Sequence, residues 1–192
     1  SPRLSSKWLP ISQMIIVEAL APVGLRMKAI ISLDQALQVS GYAIFEQGKL
    51  KESGVFSLPK TKPIEQRLAL LYQELENLLQ KVDDENVTIV FEDIQLQAGN
   101  VKTYQRLAYV QAAILLWCYY HQIDYTIEPP SHWRKILGGG FGRKREEQKQ
   151  HAIDLVKQIC GKEVSSDEAD AICIGLAYLK EKQQQKVGFA NE

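Results

Sequence analysis

The period of hydrophobic positions changes along the chain, and each period predicts a different element. Residues 29–58 contain three short runs of apolar and β-branched residues separated by turn residues, which predicts a three-stranded antiparallel meander. The predicted strands are Ala29–Gln35, Gly41–Glu46 and Leu50–Leu58. Gly48, in the turn EQGK, suits a backbone position with positive φ.

The middle of the chain alternates helical and strand patterns. Pro63 is expected to open a helix that continues through Lys81, with leucines at helical spacing along one face. The run Val87–Phe91 is continuously apolar and β-branched, as is typical of a central strand buried on both faces. A helix over Val101–His121 follows, and its predicted core side consists of Leu107, Val110, Ile114, Leu115 and Cys118.

The last third begins with a short predicted strand, Asp124–Ile127. Ser131 is then expected to cap a short helix through Leu137, and GGGFG is expected to form a loop. Two further helices are predicted, one over about Lys144–Cys160 and one beginning near Ser166. The order βββ-α-β-α-β-α-α predicts an α/β fold, with a mixed sheet flanked by helices.

Length and composition fit one domain with a sizeable core, since the chain has 192 residues, 45% hydrophobic and 24% charged. We assign this domain to residues 27–182, with a polar tail over residues 183–192. Residues 1–26 differ in character and are read as an N-terminal extension, either an added arm or a start-site artefact. The apolar stretch Met14–Leu25 is too short and too interrupted to span a membrane or serve as a secretory signal.

Charge and cysteine content bear on nucleic-acid binding and on the cellular compartment. There are 23 basic and 23 acidic residues, so any nucleic-acid binding must come from segregated charge. The three cysteines, Cys118, Cys160 and Cys173, lie in apolar or helical runs without C-x-x-C spacing. They are interpreted as reduced core residues, which predicts a cytoplasmic protein without a zinc site.

Four carboxylates stand on otherwise apolar elements: Asp34, Glu92, Asp167 and Asp170. Buried acids are costly unless a charge offsets them, and a divalent metal is the usual partner. If they converge, such acids can hold two divalent cations about 3.5–4 Å apart for phosphodiester hydrolysis. Mg²⁺ suits an all-oxygen ligand set.

Each acid also has a simpler interpretation. Asp34 can start the turn DQALQ, and Glu92 can be a solvated strand end. Ser165 with Glu168 fits a capping box, so acids in that turn can merely complement the helix N-terminus. Asp170 is the hardest to explain in this way, because its helix is apolar nearly all round.

Basic residues cluster after GGGFG, and we predict that they bind a phosphate group. They are Arg143, Lys144, Arg145 and Lys149. A solvated helix start balanced by Glu146 and Glu147 is the alternative. His132 is expected to be a surface or capping histidine, and neither a P-loop nor a G-x-S-x-G motif is present.

The order of these acids resembles that of RuvC-type Holliday junction resolvases, which have a ribonuclease-H-like fold. ISLDQALQVSGYAIF looks like the first hairpin of that family, VFEDIQLQAGNVKTYQRLAYVQAAI like its second acidic motif, and DEADAICIGLAYL like its closing motif. EPPSHWRKILG and GRKREEQKQHAIDLVK are similar to phage and Gram-positive members. Gln35 and Ala36 replace the Pro-Gly of many bacterial members, and Ile94–Gln97 stand where those members carry an aromatic residue.

The resemblance implies a homodimer that nicks four-way DNA junctions symmetrically, using Mg²⁺ or Mn²⁺, two per active site. It implies that the four carboxylates are catalytic metal ligands and that the basic cluster supports the scissile phosphate. A broader branched-DNA or RNA nuclease of the same fold and a non-catalytic junction-binding module remain the alternatives.

Overall fold

The computed structural model describes residues 28–83, 85–96 and 99–189. Five strands in this part of the chain form one sheet in the order β3-β2-β1-β4-β5. They are β1 (Ala29–Asp34), β2 (Val39–Glu46), β3 (Lys49–Ser57), β4 (Val87–Glu92) and β5 (Asp124–Glu128). The predicted N-terminal extension lies outside the described residues.

Helices follow β3, β4 and β5, as the hydrophobic periods predict. Within the described residues they are α1 (Ile64–Gln80), α2 (Val101–His121), α3 (Pro130–Ile136), α4 (Arg145–Cys160) and α5 (Ser166–Phe189). Residues 183–189, which were predicted to belong to a polar tail, therefore continue α5. No helix in the described ranges is long and apolar enough to cross a membrane.

The sheet is mixed, as predicted. β2 pairs antiparallel with both β1 and β3, whereas β4 pairs parallel with β1 and β5. β1, β3, β4 and β5 consequently run in the same direction, and their carboxyl ends meet at one edge. Ligand sites of α/β sheets form at such an edge.

Alternation along β1 separates two cores, and the predicted faces are confirmed. Ile31 and Leu33 pack with residues of α1 and α2 on one face. Ile30 packs on the other face with residues of α3, α4 and α5. Ser32 and Asp34 share the Ile30 face because successive side chains of a strand point to opposite sides.

Two local predictions are wrong. Ser131 does not cap α3, because Pro129 is the N-cap and the fixed φ of Pro130 already starts the helix. On α2, Leu107 is only half-buried and does not join the core, whereas Leu115, also half-buried, packs against it as predicted. Trp117 is fully buried instead and donates its indole N–H to Glu76 at 2.8 Å.

The predicted helix through Lys81 has the expected extent, with Pro63 as N-cap and Lys81 as C-cap. All three cysteines are free, and Cys118 and Cys173 are buried as expected, whereas Cys160 is half-buried. The raised thiol pKa of each follows from burial, so these side chains behave as small apolar residues.

Candidate active site

Asp34 and Glu92 end two neighbouring parallel strands. Leu33 of β1 is in register with Phe91 of β4, and the two acids are the next residues along each strand. Both side chains belong to the face that carries Ile30 and the helix α5. The strand ends therefore bring two carboxylates from distant parts of the chain to one position.

The start of α5 is fastened to the same strand end. The hydroxyl of Ser32 donates to the carbonyl oxygen of Ala171 at 2.6 Å, across the β1–α5 contact. Gly41, which pairs with Asp34, lies so close that a Cβ atom there would be 1.8 Å from the carbonyl oxygen of Asp167. These two contacts fix Asp167 and Asp170 beside the end of β1.

The charges of the four acids act on one another. The pKa of Asp34 is well above its ordinary value, first because the carboxyl is buried and then because of the charges of Asp170, Glu92 and Asp167. Lys149 opposes this rise. The four carboxylates thus interact electrostatically as one group.

Asp170 is strongly perturbed as well. Burial, followed by the charge of Glu92, raises its pKa to about 7. Arg134 and Lys149 lower it, and Asp167 raises it further. At neutral pH this group resists holding a full set of negative charges, and a divalent cation among the carboxylates would relieve that repulsion.

Glu92 is held by neighbours that the sequence does not reveal. The indole N–H of Trp133 donates to Glu92 Oε2 at 2.7 Å. Burial raises the Glu92 pKa, while Trp133 and Arg134 lower it. The side-chain amide of Gln35 donates to the backbone carbonyl of Glu92, which ties the end of β4 to the residue after Asp34.

Trp133 also connects the site to the glycine-rich loop. Its ring packs edge-on against Phe141 at 5.2 Å, and the guanidinium of Arg134 lies 5.0 Å from the Trp133 ring. Phe141 is buried, whereas the four glycines around it all adopt positive φ. The loop is thereby anchored through one aromatic side chain to the residue that orients Glu92.

The basic cluster divides into two parts. Arg143, Lys144 and Arg145 are exposed at the start of α4. Glu147 accepts the backbone N–H groups of Arg143 and Lys144 at 3.2 and 3.3 Å, so those donors are already used. Lys149 is half-buried, and its charge acts on Asp34 and Asp170.

The acids in the first turn of α5 have different roles: Glu168 is structural, and Asp167 belongs to the site. The Ser165 hydroxyl accepts the N–H of Glu168 at 3.3 Å, as half of the predicted capping box. The Glu168 carboxylate instead accepts from Ser53 and Lys162, both at 2.7 Å. Glu168 is therefore a structural acid, and Asp167 is the acid of this turn that acts on Asp34.

His132 joins a second group of potential ligands that the sequence did not predict. Its Nδ1 lies 2.8 Å from Glu128 and its Nε2 lies 3.3 Å from Glu181. One ligand atom from each of the three residues lies within 4.8 Å of the others. The pKa of His132 is raised, chiefly by the hydrogen bond to Glu128, and a protonated ring satisfies both carboxylates.

Sequence reasoning missed Trp133, Arg134 and Gln35. The sequence offers one signal for Trp133 and Arg134. These two residues stand between a pair of prolines and a run of glycines in EPPSHWRKILGGG. Trp133 and Gln35 bond to Glu92 across 41 and 57 residues of chain, so these pairings are visible only in the fold.

Comparison with known proteins agrees with this geometry. Residues 30–178 match the family model for crossover junction endodeoxyribonuclease RuvC. The chain is 26% identical over 154 residues to crossover junction endodeoxyribonuclease RuvC of Thermomicrobium roseum, covering 79% of this chain and 92% of the relative. The Rickettsia conorii protein of the same name is 28% identical over 157 residues, with 80% and 98% covered.

Solved structures have the same fold. Thermus thermophilus RuvC in complex with a Holliday junction substrate superposes with a TM-score of 0.67 at 15% identity, covering 82% of this chain and 96% of that chain. The yeast mitochondrial Holliday junction resolvase Ydc2 superposes with a TM-score of 0.56 at 16% identity, covering 91% and 86%. The family match extends over the sheet, the strand-end acids and most of α5, and the chain belongs to the crossover junction endodeoxyribonuclease RuvC family.

Proposed function

We propose that this protein is a metal-dependent endonuclease that resolves four-way DNA junctions by paired, symmetric nicks. The observation that carries the proposal is the half-buried group formed by Asp34 and Glu92, at the carboxyl ends of β1 and β4, with Asp167 and Asp170 of α5. It lies beside two cationic side chains, Lys149 and Arg134, in a chain of the RuvC family. We place its action in the bacterial or phage-infected cytoplasm.

The four carboxylates fit hard divalent cations. All are oxygen donors, and desolvation, followed by mutual repulsion, raises the pKa of Asp34 and Asp170. We propose that they hold two Mg²⁺ ions, with Mn²⁺ as a substitute. Bound there, the metal supplies an activated water and stabilises charge on the leaving oxygen.

The remaining residues bind and orient. Trp133 holds one oxygen of Glu92, which leaves the other free for a ligand. Lys149 and Arg134 bring positive charge to the place where a scissile phosphate would approach. Arg143, Lys144 and Arg145 are exposed next to the loop and would meet the DNA backbone outside the cleft.

Paired nicks need paired sites, so we propose that two copies of the chain form a symmetric dimer. The solvent-facing side of α2 supports this arrangement. It exposes large side chains, including Leu116 at 56% and Tyr119 at 76%, which a second copy would cover. Light scattering of the purified protein, with Leu116→Lys as the variant, tests the dimer.

The activity is tested with a synthetic four-way junction and a linear duplex of the same sequence, in Mg²⁺ or in chelator. Glu92→Gln and Asp170→Asn are assayed alongside, because each removes one negative charge at nearly constant volume. The expected result is symmetric cleavage of the junction in Mg²⁺ that both variants lose, while junction binding persists.

Other outcomes separate the alternatives. Junction binding without cleavage in either Mg²⁺ or Mn²⁺ identifies a binding module. Equal cleavage of forks, flaps and RNA:DNA hybrids identifies a broader nuclease. Because the net charge is zero, binding carried by local phosphate contacts should weaken steeply with salt.

A further inference from the structure

A cationic pocket lies on the face of the sheet opposite the four acids of the proposed active site. It has a volume of about 260 Å³ and opens where the loop before α1 meets the first turns of α2. Its lining residues are Lys60, Lys62, Arg67, Gln105, Arg106 and Tyr109, together with Pro63 and Ile64. None of these lining residues is acidic.

Arg67 is the unusual member of this group. The residue is only 7% exposed, and its Nε and Nη2 atoms have no hydrogen-bond partner among the described residues. Unpaired N–H donors on a buried guanidinium are costly, and the planar fork of Arg67 matches a phosphate or carboxylate. An anion bound in the pocket would accept hydrogen bonds from these Arg67 donors and balance their charge.

The start of α1 also favours an anion here. Pro63, the N-cap of α1, lines the pocket and makes no side-chain capping hydrogen bond. The first backbone N–H groups of this 17-residue helix are thus left without a side-chain cap from Pro63, and helix N-termini favour anions.

The pocket shares an edge of the sheet with the proposed active site. The loop before α1 leaves the carboxyl end of β3, and α2 follows the carboxyl end of β4, the strand that ends in Glu92. β3 and β4 lie three strand spacings apart, which is about 14 Å. DNA lying across this edge would pass both places.

We propose that the Arg67 pocket binds a phosphate group and that, in the junction complex, this phosphate belongs to the DNA backbone. The assignment to DNA rests on the proposed function. Arg67 would form the floor of the site, Lys62 and Arg106 its walls, and Tyr109 its rim. The pocket would position a DNA arm at a distance from the cleavage chemistry.

The first test uses orthophosphate and metal-free protein in chelator. The Nε–Hε signal of Arg67 is followed by NMR during the titration. We expect a saturable shift in the wild-type protein that weakens in the Lys62→Gln, Arg106→Gln double variant. Both substituted side chains belong to the walls of the pocket, so Arg67 itself is kept. No response of Arg67 overturns the phosphate site.

The second test separates a DNA phosphate from a free one. Junction binding is measured against salt in chelator for the same double variant and for a control, Lys28→Gln with Lys49→Gln, which removes equal charge at the opposite edge of the sheet. We expect the pocket variant to bind about tenfold more weakly and its log–log salt slope to fall by about one. The control should retain the wild-type slope.

The outcomes are distinguishable from those of the proposed function. Wild-type cleavage in Mg²⁺ with equal slopes for both double variants overturns the DNA assignment alone, and an orthophosphate shift would then mark an adventitious ion only. A wild-type protein that does not bind the junction overturns both proposals. A lower slope only in the pocket variant supports the assignment, whether or not cleavage is seen.

Discussion

The indole N–H of Trp133 donates a 2.7 Å hydrogen bond to Oε2 of Glu92. The bond joins the only carboxylate of the proposed site carried by β4 to a fully buried ring of α3. It fixes which oxygen of Glu92 faces the acids of β1 and α5.

Trp133→Phe should weaken metal binding more than it weakens the fold. The change keeps an aromatic side chain, although a smaller one, but removes the indole N–H that lowers the Glu92 pKa. The Glu92 proton would then leave only at a higher pH, and it must leave for a metal to bind. The Mn²⁺ concentration that half-saturates the protein (the Mn²⁺ midpoint) should rise, and the acid limb of the pH–rate profile for cleavage should move to higher pH.

Trp117→Phe is the matched control, because Trp117 donates an equivalent indole bond to Glu76 on the other face of the sheet. Each variant should lose about 1–3 kcal/mol of unfolding free energy. An equal shift of the Mn²⁺ midpoint in both would contradict an orienting role for Trp133.

The metal-free protein should become less stable as pH rises from about 4 to 7. The folded-state pKa of Asp170 is raised to about 7, so the folded state holds this proton more tightly than the unfolded chain does. Stability from that proton is complete below the ordinary pKa of 3.8 and is lost as the pH passes through the folded value.

Asp170→Asn should therefore be more stable than the wild type at pH 8 in chelator, by about 1–3 kcal/mol. Thermal or urea unfolding at pH 4 and pH 8 measures the difference. Mg²⁺ should stabilise the wild type and have little effect on the variant. A variant less stable than the wild type at pH 8 would show that Asp170 has a structural role.

Lys149→Gln should slow cleavage of bound junction by about tenfold or more. Lys149 lowers the pKa of both Asp34 and Asp170, so the pH optimum should also rise when this charge is lost. Lys157→Gln, on the same helix, removes a charge paired with the exposed Glu163 and serves as the control. Single-turnover rates across pH distinguish the two, and identical profiles would remove Lys149 from the site.

Gly41→Ala should lower unfolding free energy by about 3 kcal/mol or more and reduce cleavage. Its new Cβ would lie 1.8 Å from the backbone oxygen of Asp167, which cannot rotate away. Gly54→Ala meets only the flexible Tyr42 side chain, at 2.9 Å, and should cost much less. Urea unfolding of both variants provides the comparison, and similar losses would argue against close packing of β2 on α5.

The elements of this fold are largely legible in its sequence because each carries a clear period. The helix Val101–His121 has the predicted bounds, and the alternation in β1 correctly places Asp34 with Ser32 and Ile30. Asp170 could be identified because an acid inside an apolar helix has few local explanations. Roles of these acids as metal ligands remain predictions.

What the sequence could not provide are contacts between distant side chains. Among four neighbouring cations, only the phase of α4 against the sheet distinguishes Lys149 from Arg145, and that phase is set by packing. The same limit hides the burial of Arg67, which reads as a solvated residue in an amphipathic helix. Ser131 misled because a local capping preference competed with the rigid Pro129–Pro130 pair.

Phe141 is a single large side chain within a run of glycines, and its ring backs the indole of Trp133. Glycines alone would not anchor the loop to the site. The buried Phe141 side chain does anchor it, because its ring packs on Trp133 in the core. If DNA displaced the loop, Phe141 would move against Trp133, and Trp133 would in turn shift the carboxylate of Glu92. The glycine-rich loop and the carboxylate proposed to hold the metal are therefore linked through the packed rings of Phe141 and Trp133.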